Sequence, residues 1–567
     1  MSTARKYLPA PLPGKESAAL AQIRTAAQAL LDEGQQAEAV DYFLSALAAV
    51  LCRNTELELL LLKLRRERLG TRSEKISPEQ LTLLLEALQQ QLPETATEPD
   101  LAEEEREDAQ LDQLIKSAEQ AAAENGAGEA ARPRSRNWHA RGAQREVHQV
   151  DVAEAERVCP RCGREKRRIG KDLTHRLVYV PAHFIDREYQ LAKYACCVCK
   201  DGVTTAEAPP AVIERSTADA SVLAHIVVSK YADHTPLHRL HRIYERTGAD
   251  IPVSTLASWT AAVADRLQPL ADALVERVLR AYVVRTDATG LKVLDPDSPD
   301  NIERGTLWCY VGDDRDVLFR YAPTGAGESG PWQCLVGRTG YIQADAASVF
   351  DRLFSGQAAS AVEVGCWAHA RRKFDALRDT DCRVAYPLQL IRRLYRIEHL
   401  ADVQQLAPEQ RALLRGERSP KVLDKLKRWL LVNAQNEPPA SDFAKAIGYA
   451  LNQWEALERF VTDGRLDLDN NLCERQLRDV AIGRKNYLFA GSHEGAQRTA
   501  VLYSIMRTCA QHGVAPLPYL TDVLRKLAAG WPQHRTDELL PDRWRDLHAA
   551  GADGRQGSDD PPVADTG

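Results

Sequence analysis

The run Asp469-Asn470-Asn471-Leu472-Cys473-Glu474-Arg475 is followed closely by Gly483-Arg484-Lys485-Asn486-Tyr487-Leu488-Phe489 and Gly491-Ser492. An acid, two amides, an acid-base pair and a basic turn share one short stretch where a purely structural helix needs none of them, and the mixture points to phosphate chemistry. Two upstream acids could complete such a site. Asp287 follows the apolar strand Tyr282-Val283-Val284, and Asp345 ends the strand Tyr341-Ile342-Gln343-Ala344. Strand ends in an α/β sheet share a rim. If these two strands are neighbours, their acids can hold Mg2+ between them, with Glu474 as a third oxygen ligand from a helix. A few hard oxygen ligands suffice for Mg2+ when phosphate and water fill the rest of its shell. Each acid also has a structural reading: Asp287 as a turn residue before Gly290, Asp345 as a helix cap, and Glu474 as the third-position partner of an Asn471 N-cap.

Two Cys-x-x-Cys pairs, Cys159-Pro160-Arg161-Cys162 and Cys196-Cys197-Val198-Cys199, suit tetrahedral Zn2+ in a reducing compartment. The proposed ligands are Cys159, Cys162, Cys196 and Cys199, with Cys197 a competitor. Two other patterns are set aside. Gly325-Ala326-Gly327-Glu328-Ser329-Gly330 has dinucleotide spacing, but Pro331 follows where a helix should be under way. His234, His238 and His241 recur at helical spacing beside Arg239 and Arg242, which fits a polar or DNA-facing helix better than a metal site.

These residues must be positioned by several domains, because 567 residues exceed what one core supports. The chain is 44% hydrophobic and 27% charged, with no run of about 18 apolar residues that would cross a bilayer. No export signal is evident at the N-terminus, so the expected location is cytoplasmic. A net charge of −6 excludes a polycationic DNA coat but not a local DNA-binding face.

Residues 1–93 read as helical and zipper-like, with Phe43, Leu47, Val50, Asn54, Leu57, Leu61 and Leu64 at heptad spacing, and an ordinary amphipathic helix as the alternative. A charged flexible linker is expected over 94–150 and a zinc-binding domain over 151–204. Residues 205–280 read as a helical, DNA-binding or spacer domain, with a turn at Gly248 to Pro252 and an N-cap at Ser254. From 281 the pattern becomes mixed α/β, running to 500 with a helical insertion over 382–461. A helical segment over 501–550 and a disordered tail over 551–567 complete the multidomain α+β reading.

The chain resembles bacterial insertion-sequence transposases of the IS66 family over most of its length. Leu69-Gly70-Thr71-Arg72-Ser73-Glu74-Lys75 is similar to that family's N-terminal signature, and the cysteine pairs to its zinc segment. Lys230-Tyr231-Ala232-Asp233-His234-Thr235-Pro236-Leu237 resembles the start of its central domain, and Asp287-Ala288-Thr289 its first catalytic acid. Cys366-Trp367-Ala368-His369-Ala370-Arg371-Arg372-Lys373-Phe374 is similar to its histidine-arginine helix. The Asp469 to Glu474 and Gly483 to Asn486 elements and Leu539-Leu540-Pro541 also match its text. Ala288 and Asp345-Ala346-Ala347 depart from the usual family residues without removing a ligand.

The resemblance implies a ribonuclease-H-like core carrying an Asp287, Asp345, Glu474 triad that binds catalytic Mg2+, beside a structural Zn2+ site. It implies cleavage at element ends and strand transfer into target DNA, with Arg371, Arg372, Lys373, Arg475, Arg484 and Lys485 on backbone phosphates. A homo-oligomer, accessory proteins encoded by the same element and association with the nucleoid are further expectations. The alternative is a catalytically silent zinc-containing DNA-binding protein derived from such an element.

Overall fold

The computed structural model describes residues 101–124, 147, 157, 160–166, 182–195, 203–325, 329–354, 361–438 and 440–553. The expected zipper with Asn54, the tail beyond 553, and Cys159, Cys196, Cys197 and Cys199 lie outside the described residues. Contacts divide the chain into two compact units. One comprises Met1–Thr97, Ala376–Asp381 and Leu426–Leu451, and the other Glu98–Asp375, Cys382–Lys425 and Asn452–Gly567.

In chain order the helices are α1 (Leu101–Glu124), α2 (Ala220–Tyr231), α3 (Leu237–Arg246), α4 (Val253–Arg280), α5 (Pro331–Leu335), α6 (Asp351–Phe354), α7 (Trp367–Asp375), α8 (Ala385–Val403) and α9 (Pro408–Asn436). They continue with α10 (Asp442–Asn452), α11 (Trp454–Glu458), α12 (Asn471–Tyr487), α13 (His493–Gln511), α14 (Pro516–Ala528) and α15 (Pro541–Asp553). The strands are β1 (Lys193–Ala195), β2 (Val203–Thr205), β3 (Val283–Leu294), β4 (Ile302–Gly312), β5 (Asp316–Ala322), β6 (Gly340–Gln343) and β7 (Ala361–Val364). Among the described residues of the smaller unit, Trp429 meets Phe443 edge-on, with ring centroids 5.9 Å apart.

The larger unit carries a five-stranded sheet in the order β5-β4-β3-β6-β7. β3, β4 and β5 form an antiparallel meander, whereas β3 pairs with β6 and β6 with β7 in parallel. Side-chain alternation in β4 sends Leu307, Cys309 and Val311 to one face and Trp308 and Tyr310 to the other. The first set packs with Leu267, Leu274, Tyr503 and Leu520 from α4, α13 and α14. The second packs with Val284, Ile342 and Phe350. With both faces covered, β4 from Leu307 onward and the start of β3 are buried, as central strands are. At the edge strand β5, Ser504 Oγ accepts from Phe319 N at 2.8 Å and Thr508 Oγ1 from Val317 N at 3.1 Å. These α13 hydroxyls use amides that an exposed edge would leave open.

The architecture is a mixed helix-and-sheet one, as the sequence patterning indicates, but several local expectations change. β3 runs ten residues past the end of the expected strand Tyr282 to Val284, so Asp287 lies inside a strand. β7 was not anticipated, because Ala361-Val362-Glu363-Val364 is short and half exposed. The helix after the Gly248 turn is capped at Pro252 rather than Ser254, since proline's fixed φ suits the chain's arrival.

The largest change falls in the linker. Leu101–Glu124 is a helix rather than a flexible connector, because its carboxylates have partners far along the chain. Glu104 is 2% and Arg393 3% exposed. Arg393 Nη1 lies 2.7 Å from Glu104 Oε2, its Nε donates to Asp108 Oδ1 at 2.7 Å, and Lys425 Nζ reaches Glu104 Oε1 at 2.9 Å. Arg396 adds a bond to Asp108 at 2.9 Å. Removing one member of a buried ionic network strands its partner and costs about 3–5 kcal/mol. Arg393→Ala is therefore expected to accelerate amide hydrogen exchange across Leu101–Glu124 more than tenfold while leaving β3 protected. Unchanged exchange in α1 would show that the network does not hold the helix.

Candidate active site

The parallel pairing of β3 and β6 decides where two of the acids go. Val283 faces Tyr341, Val284 faces Ile342 and Arg285 faces Gln343. Continuing that register by two residues brings Asp287 level with Asp345, on the same face as Arg285 and Gln343. Asp345 sits just past the end of β6, where its Oδ1 accepts from Ala347 N at 3.3 Å.

The third acid is delivered by a segment without regular structure of its own before α12. Asn470, fully buried, donates from Nδ2 to Thr286 O at 2.9 Å, one residue before Asp287. Its own N–H donates to Cys366 Sγ at 3.2 Å. Arg285 Nη2 donates to Asp467 Oδ2 at 2.7 Å, and Gln343 Nε2 donates to Asp467 O at 2.8 Å. Side chains from both strands thus hold the approach to α12. The helix starts one residue earlier than the capping-box reading requires: Asn470, not Asn471, occupies the N-cap position and its side chain does not cap. Asp469 serves instead, accepting from Asn471 N and from Tyr395 Oη at 2.9 Å each. Glu474 falls in the first turn of α12, its N–H donating to Asn470 O at 3.2 Å.

Asp287, Asp345 and Glu474 are thereby brought to one rim. Asp287 shows the consequence: burial pushes its carboxyl up to about 6, the neighbouring Asp345 and Glu474 carboxylates add to the rise, and the Ala288 amide and Arg372 oppose it. Ala288 N donates to Asp287 Oδ1 at 2.7 Å. Among the described residues, the ligand atoms of the three acids do not all come within 4.8 Å of one another. Glu474 is drawn to α7, where Arg372 donates to its Oε2 and His369 Nδ1 lies 3.8 Å from its Oε1. That Oε1 is buried without a hydrogen-bond partner.

Arg371, Arg372 and Lys373 are exposed on α7, and Arg475 and Lys485 on α12. Arg484 is half-buried and donates to Gly290 O on β3, so it also braces α12 against the strand. His369 was quoted in the sequence only as part of a motif and was not among the candidate site residues. Its signal was the spacing of three to Arg372, which places both on one helix face, and Arg372 Nη1 lies 3.2 Å from His369 Nε2.

In the cysteine segment, Lys166 N donates to Arg157 O at 2.7 Å, so the chain doubles back around the first Cys-x-x-Cys pair. Gly163 takes the left-handed φ of 68° that this turn requires. The second pair lies between β1 and β2, which pair antiparallel from Lys193 opposite Thr205 to Ala195 opposite Val203.

Comparison with known proteins matches residues 215–498 to the model described as Transposase IS66 family. The chain belongs to the IS66 transposase family. Residues 504–541 match the IS66 C-terminal element, and residues 156–200 match the zinc-finger binding domain of transposase IS66. The IS66 relatives include two proteins of Sinorhizobium fredii (strain NBRC 101917 / NGR234), both described as uncharacterized. Protein y4qI is 36% identical over 406 residues, covering 69% of this chain and 74% of its own. Protein y4hP is 31% identical over 521 residues, covering 87% and 89%. Membership makes the chain a transposase, a DNA-processing enzyme, with a segment of the zinc-finger type. Among the described residues no helix is long and apolar enough to cross a membrane.

The Asp287 shift has a measurable sign. Its folded-state value of about 6 lies above the ordinary 3.8, so the folded form holds the proton more tightly. The associated stability is complete below about 4 and is lost as the pH rises through 6. The full difference amounts to about 3 kcal/mol. In buffer without divalent cations, Asp287→Asn is expected to be more stable than the parent to urea at pH 7.5, with the gap closing towards pH 4. Equal stabilities at both ends would remove the carboxylate crowding.

Proposed function

We propose that this IS66 transposase is of the Asp-Asp-Glu type, performing Mg2+-dependent strand cleavage at the element's ends and joining those ends to target DNA. The observation that carries the reading is that the β3–β6 register, continued two residues, brings Asp287 of β3 level with Asp345 just past the end of β6, with Glu474 tethered beside them through Asn470 and Thr286. The sheet order, three antiparallel strands continued by two parallel ones, supports a ribonuclease-H-like core.

The donor set fits Mg2+. Three carboxylates share a rim, Asp287 is disfavoured as an anion by burial first and then by its two neighbours, and a buried Glu474 oxygen lacks a donor. Asp287 and Asp345 would hold the ion or ions, with Glu474 completing the set after leaving Arg372. Bound there, Mg2+ supplies acidification of an attacking water or 3′-hydroxyl and stabilisation of the departing oxygen in an in-line phosphoryl transfer. Arg371, Lys373, Arg475 and Lys485 would grip backbone phosphates and set the scissile strand against the acids, without reading sequence. Arg372, released from Glu474, would join them. Pairing two element ends for joining favours at least a dimer.

Asp345→Asn and Glu474→Gln should leave folding and end binding intact while lowering Mg2+-dependent cleavage about a thousandfold or more, equivalent to about 4 kcal/mol of barrier. Retained cleavage in both variants would end the assignment. Cleavage of end DNA by the parent without joined product would instead make the enzyme a nuclease.

Cys159, Cys162, Cys196 and Cys199 are the proposed ligands of a structural Zn2+. The turn at Cys162 and the pairing of β1 with β2 on either side of the second cysteine pair support this reading. Protein prepared anaerobically is expected to hold one zinc per chain by elemental analysis, and Cys162→Ser to hold much less. Substoichiometric zinc in the parent would count against the site.

A further inference from the structure

At the other end of β3, away from the acids, three side chains from three elements meet. Asp295 directly follows β3, Glu303 lies on β4 opposite Val293, and His493 is the first residue of α13. One ligand atom from each lies within 4.8 Å of the other two. Eight residues of strand separate Asp295 from Asp287, about 26 Å at the usual rise, so this cluster is distinct from the proposed catalytic rim.

The arrangement is built rather than incidental. The turn before α13 is stitched to β3, with Ala490 N donating to Lys292 O and Leu294 N to Ala490 O, both at 2.9 Å. Ala496 of α13 is buried against Leu291 and Val293 beneath it. His493 Nδ1 is engaged at 2.7 Å by the Tyr321 hydroxyl, which leaves Nε2 facing the acids. Nε2 lies 3.0 Å from Glu303 Oε2 and 3.8 Å from Asp295 Oδ2, and one N–H cannot serve both at those distances. Asp295 is fixed from behind, its Oδ1 accepting from Asp297 N at 3.1 Å. Neither carboxylate is spent on capping α13, because Ser492 Oγ already takes Gly495 N at 3.0 Å.

We propose that Asp295, Glu303 and His493 form a second divalent-cation site, selecting a first-row ion such as Mn2+ or Zn2+ through two carboxylate oxygens and imidazole Nε2. One nitrogen and two oxygens suit such ions better than Mg2+, which favours oxygen alone. Tyr321 is the positioning residue. Its hydroxyl sets the ring direction and can accept from Nδ1–H, the tautomer that leaves Nε2 free for an ion, as the outer partner of a metal-bound histidine does. Bound there, the ion would clasp the β3–β4 turn to the start of α13, which follows directly on the helix carrying Glu474. The site stands independently of the catalytic reading, and its test uses no activity.

Full-length protein without a histidine tag would be titrated with Mn2+ and followed by electron spin echo spectroscopy, which detects nitrogen directly bound to the ion. The expected result is a 14N coupling in the parent that is absent in His493→Ala and retained in His369→Ala. Glu303→Gln, which keeps the imidazole and the side-chain shape, should weaken the nitrogen-coupled Mn2+ at least tenfold. Tyr321→Phe should weaken it about tenfold, in line with losses seen for outer-partner removal. No 14N coupling in the parent would overturn the site, as would a coupling that survives His493→Ala. Unchanged affinity in Glu303→Gln would do the same even if His493→Ala failed to fold.

Discussion

The placement of Glu474 depends on how the partly buried stretch before α12 satisfies its own backbone. Between Phe460 and Asn470 the chain crosses the ends of β3 and β6, where unpaired carbonyls would each be costly. Side chains from other elements take them up. Arg415, wholly buried on α9, donates to Phe460 O, Asp463 O and Leu466 O at 2.8, 2.9 and 2.8 Å. Gln343 takes Asp467 O, and Trp367 N donates to Leu468 O at 3.1 Å. Asn470 then ties the end of the stretch to Thr286 O. Arg415, Gln343 and Trp367 are rooted in a strand or helix, so the loop inherits their rigidity and α12 begins at one fixed point beside Asp287. Without that lattice the third carboxylate would sit on a mobile turn.

The same lattice works against the fold's own electrostatics. Arg285 and Arg415 are buried cations whose desolvation is met by Asp467 in one case and by Glu398 at 2.6 Å in the other. The surplus negative charge is left at the rim, where Asp287 is held well above an ordinary carboxyl. Clustered acids of this sort lower stability and are retained where chemistry needs them. In this state Arg372 compensates part of that charge by pairing with Glu474. On the proposed reading, an ion bound between the acids would take over that compensation and free the guanidinium for phosphate, which would make the two partners of Glu474 exchangeable rather than additive.

Much of this was legible in the sequence, and what was not has a common cause. The strands at Tyr282, Thr306, Asp316 and Tyr341 were readable because their apolar runs are buried on both faces, and the acids at Asp287 and Asp345 stood out against those runs. Periodicity and composition report which side chains need burial, not which distant group meets them. Sequence spacing therefore could not show that Asn470 reaches Thr286, that Arg484 braces Gly290, or that Asp345 falls level with Asp287. β7 was missed because it is four residues long and its apolar Val362 is exposed, so its pattern does not track burial. The significance of the acids as a set came from resemblance to a family, not from spacing.

The acidic segment from Leu101 to Glu124 shows how that limit bears on where DNA can lie. On composition its carboxylates belong to a solvated linker, and nothing in the spacing pairs them with the arginines of α8. In the fold each accounts for the other: Arg393 directs Nε to Asp108, Nη1 to Glu104 and Glu107, and Nη2 to Glu104 O at 2.9 Å. A guanidinium with all three nitrogens engaged and 3% exposure cannot contact a phosphate without dismantling α1. The basic groups that remain accessible beside the acids are those of α7 and α12, with Arg371, Arg475 and Lys485 exposed. A chain of net charge −6 can thus present a local cationic surface, because acids elsewhere are neutralised inside the protein instead of opposing DNA at the rim.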